Sequence, residues 1–114
     1  MIQIEKVIER GSEQTSVGHM EWFKFADGTY LLGGGLEWET TTPSNRYTFY
    51  ADLPISVTEP YKAVTVATNR FNSRQICTWS ATMSEPSRVR FDVEPADNTG
   101  TGVLLCCSFI LLGK

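Results

Sequence analysis

The sequence of 114 residues lacks a long apolar run. Its most apolar stretch, Val103–Leu112, falls well short of the ~20 residues of a membrane helix, and Met1–Gly11 has no apolar core of a signal peptide. A basic surface is also lacking, because the net charge is −3 and Lys and Arg do not cluster. We therefore expect a soluble chain that neither inserts into a membrane nor binds nucleic acid.

Residues for catalysis and metal binding are sparse. There is no Gly-rich phosphate loop with its lysine, and no nucleophile-elbow pattern. His19 has no partner in the sequence, so we predict a surface histidine. Zinc ligands could come from His19 and the three cysteines, Cys77, Cys106 and Cys107, but the adjacent pair points to opposite faces of a strand. We predict reduced, packed thiols, no metal and no cofactor.

Composition indicates a folded, globular chain, because 41% of the residues are hydrophobic and only 20% are charged. The N-terminal Met1–Ser12 fits either a helix or a strand, and periodicity does not decide between them. Gly11–Gly18 is small and polar and is predicted as a loop or short linker. We accordingly divide the chain into an extended segment or linker, residues 1–18, and one β-sandwich domain, residues 19–114.

The stretch Trp22–Gly35 predicts a tight β-hairpin around Asp27-Gly28. A two-residue Asp-Gly loop favours a type I′ turn, whose central positions both need positive φ. That loop sets a register with four cross-strand pairs, namely Phe25 with Tyr30, Phe23 with Leu32, Lys24 with Leu31, and Trp22 with Gly33. Trp22 would then cover a bare glycine, and the triplet Gly33–Gly35 is predicted as a bulge or bend.

Short alternating runs separated by turn signals continue to the C-terminus. The cleanest is Arg88–Glu94, which places Val89, Phe91 and Val93 in the core. Gln75–Met83 likewise has one apolar face. With about seven or eight strands and no convincing internal helix, the pattern predicts an all-β, antiparallel β-sandwich or jelly roll. Val103–Leu112 is apolar on both faces, so it is either a central strand covered on two sides or a strand whose outer face meets another subunit.

Two kinds of chemistry fit such a sandwich. Carboxylates on neighbouring strands, Glu21, Glu37 and Glu39, could cleave a glycoside, and we keep a glycan hydrolase as a minor alternative. A binding module fits better, because aromatic faces together with Asn and Arg on loops suit sugar recognition. The candidate ligand-binding residues are Trp38, Tyr47, Tyr50, Asn69, Arg70, Asn72 and Arg74. We predict no catalytic residues.

Several motifs in order resemble the C-terminal domains of tail fibre and receptor-binding proteins from tailed bacteriophages and their prophages. An extended VIERGSE (Val7–Glu13) precedes an aromatic-x-Lys-x-x-Asp-Gly hairpin, here Trp22 to Gly28, and the following strand ends near a glycine. A stretch with two prolines, Tyr47–Thr68, leads into a β run, and the chain closes on an apolar strand ending in Gly113-Lys114.

This resemblance implies a non-enzymatic, homotrimeric tip in a virion tail, assembled in the bacterial host cytoplasm. Its partner would be a polysaccharide or protein of the host cell surface. The nearest fold analogue that the resemblance suggests is the H-type lectin sandwich. The alternative is a structural trimerisation or cap domain of a virion tail protein. The resemblance assigns no binding residue in this sequence.

Overall fold

Two antiparallel sheets make up the computed structural model, which describes residues 6–70 and 75–114. The five-stranded sheet has the order β1-β2-β3-β8-β5, and the three-stranded sheet has the order β4-β7-β6. The strands are β1 (Val7–Thr15), β2 (Gly18–Phe25), β3 (Tyr30–Glu39), β4 (Tyr47–Asp52), β5 (Val64–Asn69), β6 (Cys77–Glu85), β7 (Arg88–Pro95) and β8 (Leu104–Gly113). The predicted all-β antiparallel sandwich is confirmed. In the described ranges, no helix is long and apolar enough to cross a membrane.

The core lies between the sheets and follows the alternation of the strands. Val89, Phe91 and Val93 of β7 are fully buried, as predicted. Phe91 meets Phe109 of β8 edge to face, with 5.4 Å between ring centroids and 84° between planes. No disulfide joins the three cysteines, which are all buried, and Cys107 faces this core while its neighbour Cys106 faces the other way. The predicted reduced thiols on opposite faces are therefore confirmed.

The apolar C-terminal strand β8 is central in its sheet, paired with β3 on one side and β5 on the other. Leu105 and Leu111 are fully buried on its inner face. On its outer face, Ile110 and Leu112 remain 57% and 46% exposed. Of the two alternatives, coverage of both faces by the chain itself is therefore wrong.

The hairpin turn differs from the predicted type I′. The amide of Gly28 donates to the carbonyl of Phe25 at 2.9 Å, and the amide of Phe25 donates to the carbonyl of Thr29 at 2.8 Å. Gly28 has a φ of +91°, whereas no described residue other than glycine has a positive φ. The loop is thus Ala26-Asp27-Gly28, a type I turn followed by a left-handed glycine. Asp27 Oδ1 accepts the amide of Thr29 at 2.9 Å, and this hydrogen bond lowers the pKa of Asp27.

Adding Ala26 to the loop shifts the predicted register by one residue. The observed pairs are Lys24 with Tyr30, Phe23 with Leu31, Trp22 with Leu32, and Glu21 with Gly33. A slip of one residue exchanges the two faces. Trp22 therefore lies on the inner face and covers Gly11 of β1, where an added Cβ would sit 2.6 Å from the indole, rather than Gly33. Trp22 does cover a glycine, as predicted, but that glycine is Gly11 and not Gly33.

The glycine triplet is not a bulge. Gly33–Gly35 pairs in unbroken register with β2 on one side and β8 on the other, so β3 continues through it to Glu39. The physical reason for glycine is close packing at Gly34, where an added Cβ would lie 2.5 Å from the carbonyl oxygen of His19. The prediction of a bulge or bend was based on composition and is wrong.

The N-terminal segment is a strand wherever it is described. β1 runs to Thr15 and pairs with β2 along its length, so the predicted loop over Gly11–Gly18 is wrong for Gly11–Thr15. Within Gly11–Gly18, only Ser16 and Val17 lie outside strands, because β2 begins at Gly18, which has a φ of +150°. The division of the chain at residue 18 into linker and domain stays a prediction.

Candidate functional site

Of the seven predicted ligand-binding residues, the five that the structure describes do not converge on one site. Trp38 and Tyr47 belong to a stack of rings at one side of the core. The ring of Trp38 stacks on Phe49 at 4.9 Å, and Phe49 stacks on Tyr47 at 5.8 Å. The hydroxyl of Tyr47 donates to the carbonyl of Thr42 at 2.7 Å. These contacts give both predicted residues a packing role.

Asn69 and Arg70 stand at the end of β5. Asn69 Oδ1 accepts hydrogen bonds from Trp79 Nε1 at 3.1 Å and from the amide of Cys77 at 3.3 Å, which ties β5 to β6. Arg70 lies over Gly35 on the outer face of the five-stranded sheet and pairs with Glu37 at 3.1 Å. Asn72 and Arg74 lie outside the described residues.

Among the predicted ligand-binding residues, Tyr50 faces solvent and lies beside a recess. It is 47% exposed on the outer face of the three-stranded sheet. The turn between β1 and β2 approaches the end of β4 here and leaves a cavity of about 180 Å³. Its lining consists of Glu13, Thr15, Ser16, Val17, Tyr50, Ala51, Asp52 and Leu53. We call it the Tyr50 recess.

Both walls of the Tyr50 recess are held by hydrogen bonds. On the turn side, the hydroxyl of Thr15 donates to the carbonyl of Gly18 at 2.9 Å. The carbonyl of Val17 accepts the amide of Glu37 at 2.7 Å, which anchors the turn to β3. On the β4 side, the amide of Leu53 donates to the carbonyl of Ser87 at 2.7 Å. The cavity is therefore preformed, which lowers the entropy cost of binding.

The charges at the recess are mainly negative. Arg88 Nε donates to Asp52 Oδ1 at 3.0 Å, and this bond raises the pKa of Arg88. The same guanidinium lies over the Tyr50 ring, 5.4 Å from its centroid. Across the cavity, Glu13 is exposed and has no ion pair within the described part of the chain. Arg90 lies opposite Tyr50 on β7 and pairs with Asp92 at 3.0 Å. Both basic groups beside Tyr50 are therefore already paired with a carboxylate.

Sequence reasoning missed Glu13, Thr15, Ser16 and Asp52. They come from two segments far apart in the chain, and no local motif connects them. The one sequence signal for this surface is the alternation along Arg46–Tyr50, which places Tyr50 on the face opposite Tyr47 and Phe49.

A second surface is the outer face of the five-stranded sheet. Cross-strand register brings Phe23, Leu31, Leu112 and Val64 into one row, and Ile110 and Val66 into the next. These side chains are between 37% and 58% exposed. We call them the outer apolar patch. Contiguous patches of this kind mark contact surfaces in soluble proteins.

The carboxylates of the hydrolase alternative lie on this same outer face, with Glu37 and Glu39 two positions apart on β3 and Glu21 farther away. Glu21 lies opposite Gly33, four positions along β3 from Glu37, so their Cα atoms are separated by about 14 Å along the strand direction. Glycosidase carboxylates stand roughly 5 to 9.5 Å apart. Glu37 pairs with Arg70, and Glu21 pairs with His19 at 3.3 Å. Within the described ranges, no group of three or more His, Cys, Asp and Glu could hold a metal ion.

Comparison with known proteins finds likeness in structure alone. No protein-family model and no curated protein sequence matches the chain. The P. aeruginosa R1 pyocin fibre comprising C-terminal residues 323–701 aligns with 95% of this chain at a TM-score of 0.52 and 9% identity. The chain has the fold of this part of a pyocin tail fibre. An N-truncated R2-type pyocin tail fibre aligns with 96% of the chain at a TM-score of 0.48 and 11% identity.

The chain is much shorter than these tail fibres. It spans 29% of the R1 fibre fragment and 39% of the R2-type fibre chain. At such low identity the likeness to the R1 fibre concerns the fold, so the function is argued from the surfaces described above.

Proposed function

We propose that this chain is a non-enzymatic receptor-binding domain of a tail fibre. It attaches a virion tail to a polysaccharide or protein on the bacterial host surface. The observation that carries the proposal is the likeness of 95% of the chain to part of the R1 pyocin fibre. The Tyr50 recess supports it, because a rigid sandwich that displays an exposed aromatic ring beside polar groups suits recognition without chemistry.

We further propose that the domain works as a homotrimer through the outer apolar patch. Roughly half of each of its large side chains is exposed, on the order of 400 Å² of apolar surface in all. A standard interface buries about 800 Å² per partner, of which about 60% is apolar. The patch is thus close to what one such interface needs. Three copies would also multiply weak contacts with a repetitive surface.

Light scattering coupled to size-exclusion chromatography tests the trimer. The wild-type chain is expected to elute with three times the monomer mass, and Ile110→Lys to elute as a monomer, because a charge in the patch centre must be desolvated on association. Ile76→Lys is the matched control, since Ile76 is 78% exposed and lies outside the patch. A wild-type monomer at micromolar concentration would contradict the trimer.

A purely structural role, as a trimerisation or cap domain of a virion tail protein, is the second candidate function, and the same outer apolar patch favours it. Flow cytometry of the labelled trimer on a panel of bacterial strains separates the two. A receptor-binding domain labels some strains and leaves others blank, and it saturates with concentration. An intact trimer that labels no strain would support the structural candidate and overturn receptor binding.

A further inference from the structure

We infer that the Tyr50 recess binds one pyranose residue that carries no anionic group, at the end or on a branch of a surface glycan. The inference rests on the proposed receptor-binding function and assigns to it a site and a ligand class. It is argued from the size of the recess, its aromatic ring and its charges.

The size of the recess fits a single sugar ring. Its cavity of about 180 Å³ is smaller than the roughly 300–1,000 Å³ of sites for drug-sized ligands. It is open to solvent at the exposed side chains of Glu13 and Ser16, so the rest of a glycan chain can leave the site there. A terminal or branching residue therefore fits better than an internal stretch of polymer.

Tyr50 is half exposed at the recess, and its ring, with Arg88 over it, provides an aromatic surface beside polar groups. Ala51 and Leu53, its neighbours in the lining, are buried and form an apolar floor. A pyranose has the same division, with C–H groups on its ring faces and hydroxyls at its edge. The C–H face packs against Tyr50, while the hydroxyls reach the carboxylate of Glu13 and the hydroxyl of Ser16.

The charges exclude an acidic sugar. Among the residues that the structure describes, Glu13 has no ion-pair partner, and Asp52 shares the cavity with it. Arg88 is already paired with Asp52 and lies over Tyr50. A uronate or phosphate in the recess would bring its charge next to a carboxylate without a free cation to compensate. Sugar hydroxyls and ammonium groups, by contrast, donate hydrogen bonds to a carboxylate. The recess therefore selects neutral and amino sugars.

Amide NMR titrations of the full chain with glucose, glucosamine and glucuronate test the inference. Glucose and glucosamine are expected to shift the amides of residues 13–17 and 50–53, with millimolar dissociation constants, as suits about twelve heavy atoms. Glucuronate should bind at least about fivefold more weakly. Shifts centred elsewhere, no binding of glucose or glucosamine, or glucuronate binding as tightly as glucose would overturn it.

Three substitutions of exposed residues sharpen the test without touching the core. Tyr50→Ala should weaken the binding of glucose and glucosamine about tenfold, because it removes the stacking surface. Tyr61→Ala should leave both affinities unchanged. Tyr61 is 82% exposed and is not among the lining residues, so it is a matched control. Glu13→Gln should weaken glucosamine more than glucose. An equal loss of sugar affinity in Tyr50→Ala and Tyr61→Ala, or no loss in Tyr50→Ala, would overturn the assignment of the site.

Cell binding distinguishes failure of this inference from failure of the proposed function. If Tyr50→Ala labels bacterial strains as well as the wild type, the domain binds receptor elsewhere, and only the assignment of the recess falls. If the wild-type trimer labels no strain, the receptor-binding function falls, whatever the NMR titrations show.

Discussion

Replacing the glycines of Gly33–Gly35 by alanine one at a time should separate three environments on a single strand. At Gly34, the new Cβ would lie 2.5 Å from the backbone oxygen of His19 and 3.1 Å from the ring of Phe109. That oxygen belongs to the paired strand and cannot move without disturbing the β2–β3 ladder. We expect the upper end of overpacking costs, about 3 kcal/mol.

The flanking glycines provide internal controls. At Gly33 the nearest atom to an added Cβ is the carbonyl oxygen of Phe109 at 3.6 Å, an ordinary contact, so Gly33→Ala should change stability by less than about 0.5 kcal/mol. At Gly35 the Cβ would lie 2.5 Å from the guanidinium of Arg70. A flexible side chain can move away, and the loss is an exposed pair with Glu37, worth up to about 1 kcal/mol.

Urea unfolding at equilibrium measures the three differences. The variants are made in an Ile110→Lys background, so that association contributes nothing to the midpoint. At about 4 °C per kcal/mol for a domain of this size, Gly34→Ala should also lower the melting temperature by about 12 °C. If Gly34→Ala unfolded at the same urea concentration as Gly33→Ala, the account of why β3 carries glycine would be refuted.

Three further outcomes follow from single contacts. Gly11→Val should destabilise the chain by about 1–3 kcal/mol in thermal melts, because its side chain would collide with Trp22. The hydrogen bond from Thr29 lowers the pKa of Asp27 below its unfolded value of 3.8. The stabilisation of the fold by ionised Asp27 is therefore fully present above that pH and is lost as the pH falls through the lower folded pKa. Asp27→Ala should therefore flatten the acid limb of the stability curve. Burial raises the pKa of Cys107 to about 12, so stability should fall as pH rises from 9.0 towards that value, more steeply than in Cys107→Ala.

The sequence was sufficient for the fold because alternation reports burial directly. The period of two in Arg88–Glu94 placed Val89, Phe91 and Val93 correctly, since each strand face meets either the other sheet or water. The doubly apolar Val103–Leu112 predicted a strand but left open whether its outer face is covered, and the exposure of Ile110 and Leu112 decided that. Strand existence and strand faces are local properties, and a single sequence contains them.

The hairpin register could not be read from Asp27-Gly28 alone. A two-residue type I′ loop and a three-residue loop ending in a left-handed glycine can both end in Asp-Gly. The choice depends on which face of β2 enters the core, and there the packing of Trp22 over Gly11 and of Leu32 into the core decides. These contacts join separate strands, so only tertiary structure reveals them.

The candidate site was harder still. Aromatic residues of a small sandwich serve mostly in its core, as Trp38 and Tyr47 do here, and composition does not separate them from an exposed Tyr50. The recess also needs the β1–β2 turn beside the end of β4. Ser16 and Asp52 are far apart in the chain, and their proximity follows from the sheet arrangement.

Binding of the purified chain to bacterial envelopes tests receptor recognition through the Tyr50 recess. Envelopes of each strain in a panel are incubated with wild-type chain, Tyr50→Ala or Tyr61→Ala and sedimented, before and after periodate oxidation of their glycans. Wild type and Tyr61→Ala should bind saturably to the envelopes of some strains. Tyr50→Ala should not bind them, and periodate treatment of the envelopes should abolish binding of the wild type. Folded wild-type chain that stays in the supernatant with every strain would contradict receptor binding.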